Sequence, residues 1–343
     1  MTIRRSALRL LAAGLLAASL PWPMALAAPG DQAGFEFAVL GHSFKAGPDD
    51  APLKKAIAET SAFNAAFVVA TGIKAASESC SDKLYSQRKD LLDASGPPLI
   101  VSLSASDWAY CRNSRGRINA IERLNRLRDV YFADDQSLGQ RKLTLSRLSS
   151  TAKFRSYAEN AHWEYGGVLF ATVNLPANNN HFLPEAGRNS EFEDRLVANR
   201  SWLQRLFAMA QRKKLDGIVL FSDGDVGVLD EDDNSLLPSF AYSAKQDGFA
   251  GPRKQIRTLA KKFSGKVLLV DTGGTGEEVK GKKAAAKGDG PKIRWKGNLG
   301  HVSIDSDWAA IAVRPGKTPL FEVRQRASRP SAQARAKAST VRR

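Results

Sequence analysis

The stretch Ala66–Leu103, AFVVATGIKAASESCSDKLYSQRKDLLDASGPPLIVSL, decides the fold class. Its ends, Ala66–Ala70 and Leu99–Leu103, are short apolar runs of the kind that form buried strands. Between them Ser81-Asp82 is placed to cap a helix whose apolar positions are Leu84, Leu91 and Leu92. Strand, helix and strand in succession point to a layered α/β domain. The pattern continues in both directions. Upstream, Phe35–Leu40 is a strand stopped at Gly41, and Ala51–Phe63 has helical spacing with Leu53, Ile57 and Ala58 on one side. Downstream, Ile118–Phe132 reads as an amphipathic helix with Leu124, Leu127 and Val130 inward, and Val168–Val173 as a strand after a mixed loop. The longest helix, near Ser190–Lys214, is expected to bury Leu196, Trp202, Leu203, Leu206 and Phe207. Gly217–Phe221, Arg253–Phe263 and Lys266–Val270 repeat strand, helix, strand. His301–Ile304, Ala309–Val313 and Leu320–Val323 then give an all-β finish.

The N-terminus has the three parts of an export signal. Arg4, Arg5 and Arg9 precede an apolar run from Leu10 to Leu20, followed by Pro21-Trp22-Pro23 and the small-residue site Ala25-Leu26-Ala27. Residues 1–27 are therefore expected to be removed, leaving a periplasmic or extracellular protein. Arg4-Arg5-Ser6-Ala7-Leu8 also fits a loose twin-arginine pattern, so both export routes stay open. The apolar run is too short to span a bilayer, which takes about 20 residues, and no transmembrane segment is expected elsewhere. An oxidising compartment favours a disulfide between the only two cysteines, Cys80 and Cys111.

The net charge of +16 is unevenly placed. The leader, the basic segment 280–296 and the tail 324–343 account for all of it, and the rest of the chain is neutral. Segment and tail are rich in Ala, Gly, Ser or Pro and cannot bury a core, so a basic loop insertion and a disordered tail are expected. No aromatic residues interleave with the tail cations to stack bases, which excludes specific nucleic-acid binding. Loose attraction to an anionic envelope polymer or to lipid headgroups is the expectation instead.

In an open α/β sheet, chemistry sits in the loops beyond the carboxyl ends of the strands. These are Gly41-His42-Ser43-Phe44, Thr71-Gly72-Ile73-Lys74, Ser104–Trp108, Asn174–His181, Ser222–Asp225 and Asp271–Gly276. In order, with Cys80-Ser81-Asp82, Leu84-Tyr85, Trp108…Cys111, Tyr157–Trp163 and Asn178-Asn179-Asn180, the chain resembles the calcineurin-like metallophosphoesterases, particularly an exported bacterial branch. The resemblance runs from Phe35 to Val323. It implies a two-layered β-sandwich core flanked by helices, spanning residues 28–323 as one domain.

The resemblance also implies two metal ions about 3.5–4 Å apart, clamping a phosphate and activating a water. The matching ligands are mostly replaced. His42 stands where the first loop should present Asp, and Gly72 stands at the metal-bridging carboxylate. The Gly-Asn-His/Glu type of motif reads Ser104-Ala105-Ser106-Asp107, and the late histidine pair reads Asp271-Thr272-Gly273-Gly274-Thr275. The expectation is a binding protein whose strand-end cleft is lined by His42, Asp107, Asn180, His181 and Asp271. The alternative is a phosphoesterase with a single manganese, iron or zinc ion held by His42, Asp107 and Asp271, with His181 or Asp223-Gly224-Asp225 contributing.

Other motifs give weaker chemistry. The acidic run Asp230–Asp233 lacks the spacing and closing Glu of a twelve-residue calcium loop. Gly276…Gly281-Lys282 is followed by Lys283 where a phosphate loop needs Ser or Thr. Gly41-His42-Ser43 is no nucleophile elbow. His162 and His301 read as structural histidines satisfied by hydrogen bonds.

Overall fold

The computed structural model describes residues 33–183, 187, 189–230, 247–273, 291–305 and 308–324. The leader, residues 280–290 of the basic segment, the acidic residues 231–233, the phosphate-loop-like residues 276–283 and residues 325–343 of the tail lie outside them.

The first half runs β1 (Phe35–Leu40), α1 (Ala51–Phe63), β2 (Val68–Thr71), α2 (Asp82–Asp93) and β3 (Leu99–Ser102). A single helical turn α3 (Ala105–Trp108), α4 (Ala120–Tyr131), β4 (Ser146–Arg147), β5 (Ala161–Tyr165) and β6 (Val168–Thr172) follow. Next come α5 (Ser190–Lys213), β7 (Gly217–Phe221), α6 (Ala250–Lys262) and β8 (Lys266–Asp271). The described residues end in β9 (Arg294–Lys296), β10 (Leu299–Ser303), β11 (Trp308–Val313) and β12 (Phe321–Arg324). Ser81 caps α2 as expected, its hydroxyl accepting from the Leu84 amide at 3.3 Å.

The strands form two sheets, ordered β12-β11-β1-β2-β3 and β4-β5-β6-β7-β8-β10-β9. β1, β2 and β3 are parallel, as are β6, β7, β8 and β10. Alternation along each strand sorts side chains into two layers of core. Phe37, Val39, Phe67, Val69 and Ile100 of the first sheet meet Val168, Phe170, Val219, Phe221, Leu268 and Val270 of the second. The intervening residues face helices: Ala38, Val68 and Val101 pack with residues of α1, α2 and α4, and Leu169, Leu220 and Leu269 with residues of α5 and α6. The result is the expected sandwich of two sheets flanked by helices.

Four local readings are corrected. β5 lies inside the stretch taken as mixed loop, because His162 and Glu164 interrupt its apolar residues. Residues 294–296, assigned to the basic loop, pair with β10 as an edge strand. The last strands are not one run, since β10 joins the second sheet while β11 and β12 join the first. On α5, Leu196 is only half-buried, and Arg195 and Asn199 take buried positions instead. Cys80 and Cys111 are joined, tying the start of α2 to the chain beyond α3. Among the described residues no helix is long and apolar enough to cross a membrane.

Candidate functional site

β1 ends where the chain must pass close to another backbone: a Cβ on Gly41 would lie 1.5 Å from the Asp305 carbonyl oxygen. The turn beyond it buries His42. Its Nδ1 accepts from the Phe44 amide at 3.3 Å, which puts the proton on Nε2, 2.7 Å from Ser106 Oγ and 3.3 Å from Ser104 Oγ. Burial pushes the imidazole below the ordinary histidine range, against the opposing charge of Asp223. His42 is neutral and donates to a hydroxyl that itself donates to the Lys74 carbonyl at 3.0 Å.

β2 ends at Thr71-Gly72. Gly72 has φ +76°, and a Cβ there would lie 2.9 Å from atoms of the His42 ring. The position at which the resemblance implies a bridging carboxylate therefore has no room for a side chain. Beyond it, buried Lys74 donates through Nζ to the Ala75 carbonyl at 2.7 Å and the Ser106 carbonyl at 2.8 Å. Burial pulls this ammonium below its usual range, opposed by Asp107.

Asp107 sits at the third position of α3, where its carboxylate accepts from the amides of Ile73 (2.8 Å), Lys74 (3.3 Å) and Ser104 (2.7 Å). Burial raises its pKa to about 6 in spite of these bonds. Asp223, beyond β7, is a second buried carboxylate pushed up by burial. It accepts from Ala105 N at 2.7 Å, Ala177 N at 2.8 Å and Thr272 Oγ1 at 3.2 Å, so it links the loops beyond β3, β6 and β8.

Asn179, Asn180 and His181 all have left-handed φ, at +53°, +54° and +54°. Such conformations cost about 1–2 kcal/mol per residue and persist only when their surroundings impose them. Here the Gly248 amide donates to Asn179 Oδ1 and its carbonyl accepts from Asn180 Nδ2, both at 2.9 Å. Fully buried Arg195 donates to the Asn180 carbonyl at 2.8 Å and to the Asn180 side-chain oxygen, and pairs with Glu191 at 2.7 Å. The turn sets the His181 ring against Trp108 in an edge-to-face contact, centroids 4.7 Å apart, and burial lowers the His181 pKa.

Asp271 belongs to a different set of bonds. Val270, Val302 and Ile304 face the other sheet, so the pleat sends Asp271 and His301 to the helix-facing side. Asp271 Oδ2 lies 2.5 Å from His301 Nε2, and Oδ1 accepts from Ser303 Oγ and Gly273 N, both at 2.8 Å. Asp225 Oδ1 is 3.5 Å from the same His301 nitrogen. Burial pulls His301 down, but its bond to Asp271 and the charges of Asp271 and Asp225 more than offset this and hold it above its ordinary range. His301 Nδ1 accepts from Arg294 at 2.8 Å, which leaves the Nε2 proton facing Asp271.

The five residues expected to line one cleft thus fall into three groups. His42 and Asp107 share a buried network through Ser104 and Ser106. Asn180 and His181 belong to the left-handed turn. Asp271 joins Asp225 and His301, whose ligand atoms all lie within 4.8 Å of one another. His301, read from sequence as structural, has an acidic partner after all. Asp223 and Asp225 entered the sequence reading only as contributors to a single-metal site, and Lys74 and Arg195 were not singled out as site residues. The visible signal for Arg195 was its place on the buried stripe of α5, and none existed for His301, whose partners are distant in the chain.

The donors decide what these groups hold. At the described positions that the resemblance assigns to a pair of ions, Gly72 carries no carboxylate, Ser104 and Ser106 offer neutral hydroxyls, and His42 Nε2 faces Ser106. Two carboxylates and an imidazole at Asp225, Asp271 and His301 fit one divalent ion, provided the Nε2 proton is displaced.

No family model matches the chain, and no curated protein does. A dimetal phosphatase from Danio rerio resembles it in structure at 10% identity and a TM-score of 0.46, over 81% of this chain and 92% of that one. A phosphatase from Mycoplasma pneumoniae does so at 10% identity and a TM-score of 0.39, over 85% and 93%.

Proposed function

We propose that this chain is an exported protein that keeps a phosphoesterase-like frame without dinuclear-metal catalysis, and that it binds a ligand or partner at the carboxyl ends of its strands. The observation that carries the reading is Gly72, whose missing side chain is filled by the His42 imidazole. The strained turn at Asn179–His181 supports it, since strain of this kind collects at binding and catalytic sites. The basic segment and tail aid retention at an anionic envelope polymer or lipid surface, and unchanged retention after deleting residues 324–343 removes that part.

Metal content, measured by mass spectrometry on the mature chain purified without chelator, tests the main reading when phosphodiester hydrolysis is assayed alongside. The expected result is no pair of ions and no turnover with added manganese, iron or zinc. Two tightly held ions per chain, or turnover abolished by His42→Ala, overturns it.

A second reading is favoured by Asp225, Asp271 and His301: a phosphoesterase with one manganese, iron or zinc ion. A bound ion would supply Lewis-acid activation of a water. The chain's own part is to move the His301 proton to Nδ1, which requires Arg294 to swing away. One ion per chain, lost with turnover in His301→Ala, selects this reading over the first.

A further inference from the structure

Between α3 and α4 the chain makes a short hairpin, residues 109–119, that neither reading uses. Its root is fixed by the Cys80–Cys111 disulfide, by the Asn119 amide donating to the Cys111 carbonyl at 2.8 Å, and by an antiparallel bridge between Arg112 and Ile118. Its tip is folded by Asn113, whose side-chain oxygen accepts from the Arg115 and Arg117 amides, both at 3.0 Å. The backbone is satisfied locally, and every residue from Arg112 to Ile118 is exposed.

The side chains it presents are of two kinds. Arg112, Arg115 and Arg117 are cations in a stretch with no acidic residue between Asp107 and Glu122. Among the described residues no carboxylate pairs with them, and the nearby Asp82 and Glu122 are engaged by Arg123 and Arg126. Beside these cations, Tyr110, Ile118 and Ile121 are 52%, 54% and 52% exposed. Ile121 lies in the first turn of α4, away from Ala120, Leu124 and Leu127, which that helix buries. Tyr110 stands half in solvent at the start of the hairpin.

We propose that this hairpin is a contact for an anionic bilayer surface, its arginines meeting lipid phosphates while Ile118, Ile121 and the Tyr110 ring enter the headgroup–acyl boundary. A soluble polyanion accounts for the arginines and leaves two isoleucines in water. An apolar protein patch accounts for the isoleucines and leaves three arginines unneutralised. A lipid interface offers phosphate and hydrocarbon within about 5–10 Å of each other. Because the disulfide and the Asn113 bonds already fix the hairpin, contact costs little ordering of its backbone.

The test is co-sedimentation of the full mature chain with phosphatidylcholine vesicles, with and without phosphatidylglycerol. Binding is expected only with phosphatidylglycerol. Arg115→Glu/Arg117→Glu should lower the partition coefficient at least about twentyfold, from about fivefold per removed cation. Ile118→Ser/Ile121→Ser should lower it severalfold while leaving binding to soluble polyphosphate unchanged. Ile118→Trp should add an emission component that shifts to the blue on the vesicles. All positions are exposed, and matched urea midpoints establish that the variants fold. Wild-type partition in the isoleucine pair, or no blue shift, shows that nothing enters the lipid and overturns the proposal in favour of a polyanion site. Partition insensitive to both double variants assigns binding to the tail and also overturns it.

Discussion

At Gly72 two constraints coincide, a left-handed backbone and an imidazole occupying the space a Cβ would need. Gly72→Ala is expected to cost about 2–4 kcal/mol, the sum of left-handed strain and the displacement of His42. Urea unfolding at pH 7 measures it, and a cost of only about 1–2 kcal/mol, the left-handed strain alone, would show that the ring yields freely. Asp107 gives a pH signature. Its folded pKa of about 6 lies above the ordinary carboxylate value near 4, so the folded state holds the proton more tightly. Stability from this group is full below about pH 4, falls as pH rises, and levels off above about pH 6. Asp107→Asn should flatten that slope in urea midpoints taken from pH 4 to 7. It should also lose about 1–3 kcal/mol at pH 7, because a carboxamide cannot accept from amides on both sides. Of these residues, His42 and Asp107 could be picked out from sequence as strand-end groups. That the first is a neutral donor and the second a helix cap could not, since both roles depend on amides and hydroxyls supplied by other loops.

Elements place the polar groups, and here the sequence was legible in one dimension and opaque in the other. Hydrophobic period located most strands and helices to within a few residues, because each buries one face and the spacing records it. It did not reveal which face an end residue takes. Asp271 closes β8 on the helix side, not the sandwich side, and a shift of one residue along the pleat would have reversed this. The short α3 escaped notice because one turn has no period, and its hold comes from the Asp107 cap. α5 shows tertiary context overriding pattern: its N-terminal half buries Arg195, which holds the left-handed turn, and Asn199, which bonds Asn160 and the Asn174 carbonyl, and its C-terminal half buries Trp202, Leu203, Leu206 and Phe207. Arg195→Met should remove about 3–5 kcal/mol, because Glu191 and the Asn180 carbonyl lose a buried donor. Amide exchange at Asn179–His181 should accelerate more than exchange in β6 or β7. Equal acceleration throughout would mean that the arginine supports the whole fold and not that turn.

On the scale of the whole molecule, the two sheets meet through aromatic rings. Phe170 contacts Phe35, Phe37, Phe67 and Trp163, with centroids 4.9–6.2 Å apart, and so touches both layers. Phe170→Ala should cost about 3–5 kcal/mol and lower the unfolding midpoint of both sheets together. Separate transitions followed at Trp163 and Trp308 would show that the sheets unfold independently. Fold class was legible because alternating strand and helix admits few layered arrangements. The partition of strands between the sheets was not, because the final strands carry the same apolar signature whichever sheet they join. That partition governs the order in which the molecule can be completed. β1 is synthesised first of the strands and lies between β2 and β11, with Phe35 opposite Val313. Until the last segment leaves the ribosome, one edge of β1 stays unpaired, and its inner-facing side chains wait for a neighbour nearly a full chain length away. Non-local closure of this kind slows folding and leaves an aggregation-prone edge in the interim. A nascent chain stalled before Trp308 is a substrate for chaperones or proteases, and the molecule becomes safe only with its final strands.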